Sequence, residues 1–197
     1  MQFAIGTKVR AKGFSKVFEV AKYDDKTHKY VLKDSVPTWD ENELELAEPR
    51  LRGFEVVSSF VDKGVILPTR STAGSAGYDF RVLTDEPIII KPHETHVFDT
   101  GVKAYMQEDE VLMIYVRSST GIKKGLRLAN GTGCIDSDFI DGETEGHIKI
   151  ALTNYANKFV KVENNDRVAQ GIFMKYLTVD NDNVTTERTG GIGSTGK

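Results

Sequence analysis

Apolar and β-branched residues alternate with charged ones through the first fifty positions, in Lys8-Val9-Arg10, Lys16-Val17-Phe18-Glu19-Val20 and Lys29-Tyr30-Val31-Leu32. A period of two sends successive side chains to opposite faces of a strand, so these runs predict half-buried strands. Asp24-Asp25-Lys26 stands between two of them as a turn. Trp39 and then Leu44-Glu45-Leu46 supply an aromatic and a last strand. Five short strands in so few residues predict a small SH3-like β-barrel over residues 1–49 with its own core. Proline and glycine then punctuate the chain at Pro49 and Gly53, which predicts a linker over 50–53.

The pattern stays β beyond the linker. Apolar runs at 54–60, 87–90, 96–98, 111–116, 147–152 and 171–177 are separated by turn residues at short intervals. That spacing predicts a sandwich, barrel or jelly roll for the core, residues 54–179. The best helical stretch is one or two turns after Arg117, with Ser118, Ser119 or Thr120 as candidate caps. From Asp180 the sequence turns polar and glycine-rich, which predicts a mobile arm over 180–197. The fold class is therefore all-β.

Composition narrows the function classes. The 197 residues carry 26 basic and 29 acidic side chains, a net charge of −3. A chain without a global positive field is a poor candidate for gripping nucleic acid or an anionic membrane, so any anion must meet a local cluster of donors. No apolar run approaches the roughly 18 residues of a membrane helix, and residues 1–6 lack a signal-peptide pattern. The single cysteine, Cys134, excludes an intramolecular disulfide and a cysteine metal cage, and points to a reducing, cytoplasmic setting.

Four segments carry candidate chemistry. Arg117-Ser118-Ser119-Thr120-Gly121 follows a strongly apolar strand. A guanidinium, hydroxyls and unpaired backbone N–H groups together bind phosphate, although capping serines beside a surface arginine give the same pattern. In the segment 130–139, Asn130-Gly131-Thr132-Gly133 reads as a tight hairpin whose backbone can approach a flat ligand. Cys134 and Ile135 then lead to Asp136 and Asp138, two residues apart on one face of the predicted strand. Such a pair needs a cation, a proton or divergent side chains, unless it is simply a solvated acidic loop. With no histidine near it in sequence, Cys134 reads as a small buried hydrophobe rather than a nucleophile. Asp166-Arg167-Val168-Ala169-Gln170 offers two donors three apart to one anion, or else a turn with a surface ion pair.

The last seven residues, Gly191 to Lys197, match G-x-x-x-x-G-K, but a phosphate-binding loop of that kind lies between a strand and a helix, and here the sequence ends at the lysine. Glycine-rich backbone with Arg188, Ser194 and Thr195 still suits wrapping a phosphate, or a plain flexible tail. His28, His93, His96 and His147 are scattered and read as surface residues without a metal.

Five segments in order resemble the homotrimeric dUTPase family: Ala76-Gly77-Tyr78-Asp79-Phe80, Arg117-Ser118-Ser119, the stretch from Asn130 to Phe139, Asp166-Arg167-Val168-Ala169-Gln170, and the stretch from Arg188 to Gly196. The resemblance covers about residues 54 to 197 and leaves the N-terminal module without a counterpart. It implies a β-clip, jelly-roll-like fold and a homotrimer whose sites are shared between subunits, closed by the C-terminal arm. It implies hydrolysis of dUTP to dUMP and pyrophosphate with Mg²⁺ as cofactor. By the same resemblance Asp136 is the carboxylate that activates water. Asn130, Gly133 and Ile135 read the uracil, Phe139 packs under deoxyribose, Ser118 and Gln170 hold the α- and β-phosphates, and Ser119 belongs to the substrate site. Arg188, Gly193, Ser194 and Thr195 close over the γ-phosphate. Asp79 reaches the metal through water, and Arg117 binds substrate or braces the site.

Two departures from the family pattern stand out. Ile192 occupies a position usually aromatic, and the link at 140–146 is expanded. Competing implications are a dCTP deaminase of the same fold, and a dUTP-controlled regulator that contacts a protein partner through the N-terminal module.

Overall fold

A computed structural model describes residues 3–12, 17–35, 37–47, 51–186, 188 and 190. The chain divides into two compact units, Met1–Arg50 and Leu51–Lys197.

In the first unit, β1 (Lys8–Ala11), β2 (Val17–Asp24), β3 (Lys29–Leu32), β4 (Thr38–Trp39) and β5 (Leu44–Leu46) form one antiparallel sheet in the order β4-β3-β2-β1-β5. The alternation places Val9, Val20, Tyr30, Leu32 and Leu44 on a common buried face, with Phe3 against them. At the β2–β3 turn the Asp24 carboxylate accepts the Lys26 N–H at 2.9 Å, the local bond that makes aspartate a turn residue. β5 returns to pair with β1, Val9 opposite Leu46.

The second unit is also built of strands: β6 (Gly53–Val56), β7 (Thr69–Arg70), β8 (Tyr78–Arg81), β9 (Ile88–Ile90), β10 (Thr95–Asp99), β11 (Val102–Tyr105), β12 (Glu110–Val116), β13 (Leu126–Leu128), β14 (Gly133–Asp136), β15 (Lys149–Asn154), β16 (Val160–Val162) and β17 (Arg167–Lys175). A five-stranded sheet, β14-β12-β17-β8-β7, and a three-stranded sheet, β10-β15-β13, are accompanied by the two-stranded pairs β11-β6 and β16-β9. Phe80, Leu112 and Ile114 from the first sheet and Phe98, Ile150 and Leu152 from the second meet in one core. Among the described residues, no helix is long and apolar enough to cross a membrane.

Several elements differ from the sequence reading. The strand expected over 54–60 stops at Val56, and Ser58–Phe60 form a 3₁₀ turn closed by the Phe60 N–H on the Val57 carbonyl. The last strand starts earlier than 171, at Arg167, because residues 167–171 pair with β8 on one side while β12 covers the other. After Arg117 the helical stretch is a single π turn over Thr120–Lys124. Ser119 at its N-cap makes no side-chain capping bond. His147 is buried rather than on the surface.

Candidate active site

The stretch 130–139 is not a hairpin. β13 belongs to the three-stranded sheet and β14 to the five-stranded one, so residues 129–132 carry the chain from one sheet to the other. The turn is closed by the Gly131 N–H on the Leu128 carbonyl at 3.0 Å. Gly131 sits at φ 76°, where a Cβ would be strained. Gly133 lies so close to Ile114 that an added Cβ would fall 3.0 Å from it, which lets the backbone of β14 settle against β12.

Where the two sheets diverge, a cavity of about 440 Å³ opens. Asn130, Gly133, Ile135, Asp136, Phe139 and Arg188 line it, so six residues singled out in the sequence converge here. Its far wall is made by Val97 of β10 and by Ile148 to Ala151 at β15, which no motif marked. The signal available for them was only the alternating pattern of a strand.

Asp136 and Asp138 do not share a strand face. The ladder with β12 ends at the pair Val111–Asp136, and Ser137–Asp141 turn into a 3₁₀ helix. The two carboxylates nevertheless converge on one cation. Arg188 Nε donates to Asp138 Oδ1 at 2.8 Å, and Arg188 Nη2 donates to Asp136 Oδ2. The guanidinium offsets the repulsion between the two anions. It also stands 5.7 Å from the centre of the Phe139 ring. Asp138 and then Asp136 push the Arg188 pKa still higher, so it is a fixed positive charge. Cys134, expected to be buried, is exposed on this wall; its thiol points to Asp136 at 3.7 Å. Desolvation first, then the Asp136 charge, raises its pKa and keeps it a thiol.

The expanded link is tied down rather than loose. Glu145 accepts the Ser58 N–H at 3.2 Å, the Ser58 hydroxyl and Lys103 Nζ at 3.0 Å. These bonds lower its pKa to about 2, the Ser58 hydroxyl first and Lys103 next. Beyond it, His147 Nε2 accepts the Gly101 N–H at 3.1 Å, which requires a neutral ring, and burial lowers its pKa further than the nearby Asp99 raises it.

A second cluster gathers where β12 ends and β17 begins. Asp79, buried in β8, takes Arg117 Nε on one oxygen at 2.7 Å. Arg167 Nη1 at 3.1 Å and the Ser71 hydroxyl at 2.9 Å reach its other oxygen. Asp166 pairs with Lys124 at 2.9 Å and not with Arg167, so the surface-pair alternative for that segment does not hold. Ser118 and Ser119 are exposed beside Arg117. Gln170 lies opposite Asp79 in the β17–β8 ladder, and its amide oxygen passes 2.5 Å from where a Cβ on Gly77 would stand. Gly193, Ser194 and Thr195 lie outside the described residues, as does Ile192. Among the described residues, no three His, Cys, Asp or Glu side chains form a metal cage.

The second unit is thus an all-β arrangement of two sheets with a cavity bordered by Asp136 and Arg188 and a separate cluster of two guanidinium groups on Asp79. The dUTPase family model matches residues 63–196, and the chain belongs to the dUTPase family. The deoxyuridine 5'-triphosphate nucleotidohydrolase of Lactococcus lactis subsp. lactis (strain IL1403) is 45% identical over 150 residues, 75% of this chain and 99% of that protein. That of Treponema denticola is 36% identical over 139 residues, 68% of this chain and 93% of that protein. The crystal structure of dUTPase from Streptococcus mutans matches with a TM-score of 0.59 at 42% identity, covering 66% of this chain and 99% of that one. The dUTPase from phage phi11 of S. aureus, at 20% identity and a TM-score of 0.54, shares the fold over 68% of this chain and 96% of its own. The second unit is thus the β-clip that the motifs imply, and the first unit lies outside the family match.

Proposed function

We propose that this protein hydrolyses dUTP to dUMP and pyrophosphate, with Asp136 as the general base. The observation that carries the reading is the cavity at the sheet divergence. Its glycine-lined backbone and the Asn130 amide suit a pyrimidine edge, Phe139 suits the face of a deoxyribose, and Asp136 stands at its border. A carboxylate there accepts the proton of a water as that water attacks the α-phosphorus, and the phosphate–phosphate bond breaks with pyrophosphate leaving. The Arg188 guanidinium, already against Asp136, holds that carboxylate and stays charged to meet the γ-phosphate together with Ser194 and Thr195. The curated relatives are named as dUTP nucleotidohydrolases, which favours hydrolysis over deamination of dCTP.

The distance along β12 supports shared sites. Asp136 is level with Val111, and Arg117 follows Val116 at the far end of the strand. At a rise of about 3.4 Å per residue the two clusters are roughly 20 Å apart. The α-phosphorus beside Asp136 and the α- and β-phosphates held by Ser118 and Gln170 are neighbouring parts of one molecule. This separation favours a site that takes its cavity from one chain and its phosphate cluster from another, as in the homotrimer that the resemblance implies.

Mg²⁺ would arrive with the triphosphate. Both Asp79 oxygens are already engaged by Arg117, Arg167 and Ser71, so Asp79 would touch such an ion only through water. Bound, the ion supplies positive charge to the phosphate oxygens. The first unit, with its own core, is proposed to be an SH3-like module that contacts a protein partner, and the lone free thiol fits a cytoplasmic setting.

The test is pyrophosphate release from dUTP and ammonia release from dCTP, measured side by side on the full chain and on one beginning at Gly53. Turnover of dCTP without dUTP would overturn the reading.

A further inference from the structure

We propose that Arg167 is a positioning residue that keeps Arg117 available to the polyphosphate, an inference that rests on the function proposed above. An arginine and a carboxylate left alone pair through two parallel N–H···O bonds, which spend two of the guanidinium nitrogens on one acceptor. Arg117 and Asp79 do not pair that way. The nearest approach of Arg117 to Asp79 is Nε to Oδ1, at 2.7 Å, and among the described residues no pair of parallel hydrogen bonds joins the two. The other oxygen, Oδ2, is held by Arg167 Nη1 at 3.1 Å and by Ser71 Oγ at 2.9 Å. Ser71 Oγ in turn accepts from Arg167 Nη1 at 3.4 Å, so the hydroxyl and the second guanidinium brace each other.

The main chain of Arg167 completes the arrangement. Its carbonyl accepts Arg117 Nη1 at 3.3 Å and the Thr120 hydroxyl at 3.4 Å. Arg117 is thereby fixed at Nε and at Nη1, while its Nη2 has no protein partner among the described residues. With two guanidinium groups on one carboxylate, the cluster keeps one net positive charge. Arg81, opposite Arg167 in the ladder, does not compete for Asp79, because its Nη1 is bound to the Asn165 carbonyl at 2.8 Å.

The sequence builds this placement with a defect in the strand. The β17–β8 register shifts between Arg167 and Ala169, a bulge that changes where the Arg167 side chain points. Without Arg167, Oδ2 would be open to Arg117, and the two would close into a fork turned away from the ligand.

The experiment compares wild type, Arg167→Ala and Arg167→Lys in the full chain, titrated with a non-hydrolysable dUTP analogue and, separately, with deoxyuridine as competitor. The expected result is a loss of about tenfold in analogue affinity for Arg167→Ala, the size of one charge-assisted hydrogen bond. Deoxyuridine affinity should be unchanged, and Arg167→Lys, which still offers a cation to Oδ2, should recover most of the loss. Analogue binding by Arg167→Ala equal to wild type overturns the inference, and so does an equal loss for analogue and deoxyuridine, which marks a merely structural residue. If Arg167→Ala does not fold, Arg167→Met, which keeps the length of the side chain but offers no donor to Oδ2, carries the test: a selective loss of analogue affinity supports the inference, and unchanged affinity or an equal loss for analogue and deoxyuridine overturns it. A wild-type chain that binds neither ligand would sink the function proposed above, whereas wild-type binding with an indifferent Arg167→Ala sinks only this step.

Discussion

Arg188 and Asp138 meet at 2.8 Å across fifty residues of sequence, and the same guanidinium reaches Asp136. The arm's arginine thus lies on the carboxylate to which the proposed chemistry assigns the proton. Asp136→Asn keeps the shape and the hydrogen bond to Arg188 but loses the base. Turnover should fall by about 10²–10⁴ while analogue binding persists. Steady-state pyrophosphate release with a parallel analogue titration checks it, and near-normal turnover would remove Asp136 from the role.

Shared sites predict complementation. Chains carrying Asp136→Asn and chains carrying Arg117→Ala should each lose most activity alone, and co-refolded mixtures should regain part of it. Each defect then sits on a different chain, so a fraction of mixed sites is complete. Native mass spectrometry establishes that mixed assemblies form; inactive mixed assemblies would show that one chain carries the whole site.

Glu145 ties acid stability to the 140–146 link. Its folded pKa, about 2, lies below its ordinary value of 4.5, lowered by the Ser58 hydroxyl and Lys103. The ionised form is therefore favoured in the folded state, and its contribution is complete above pH 4.5 and lost as the pH falls toward 2. Glu145→Gln should flatten the dependence of the denaturation midpoint on pH across that window. Identical pH profiles for the two proteins would mean that the link is not held by this carboxylate.

His147 acts in a different window. Burial lowers its pKa from 6.5, and its Nε2 must stay unprotonated to accept the Gly101 N–H. The unfolded chain takes up the proton first, so the contribution of His147 is complete above pH 6.5 and is lost as the pH falls through the depressed folded value. Ring-proton NMR should give a midpoint below 6.5 with a neutral Nδ1–H tautomer. A midpoint at or above 6.5 would contradict the assigned hydrogen bond.

The five motif segments were legible because each combines unusual residue types in a short span, and seven residues from two of them line one cavity. What joins the segments was not legible. Asp79 finds Arg167 across 88 positions, and Glu145 finds Ser58 across 87. No local spacing encodes such pairs. The burial of His147 escaped for another reason. His147 and Ile148 are buried in succession where the chain passes between β11 and β15, and alternation fails there. The Asp136–Asp138 relation was misread because a period-two argument holds only while the ladder lasts, and this ladder ends at Asp136. Ile192, the residue in place of the usual aromatic, lies outside the described residues.

The length of β12 sets what this family member can change. Its buried side chains Leu112 and Ile114 face the core, and its two ends carry the neighbours of Asp136 and the start of Arg117. Removing one residue would turn every side chain beyond the deletion to the opposite face of the sheet. It would also rotate Arg117 away from Asp79 while leaving Asp136 where it is. Drift by insertion or deletion is therefore closed to this strand, and variation in chain length among relatives should accumulate at places such as the 140–146 link. There a changed length leaves β12 as it is, and with it the spacing between the two halves of the chemistry.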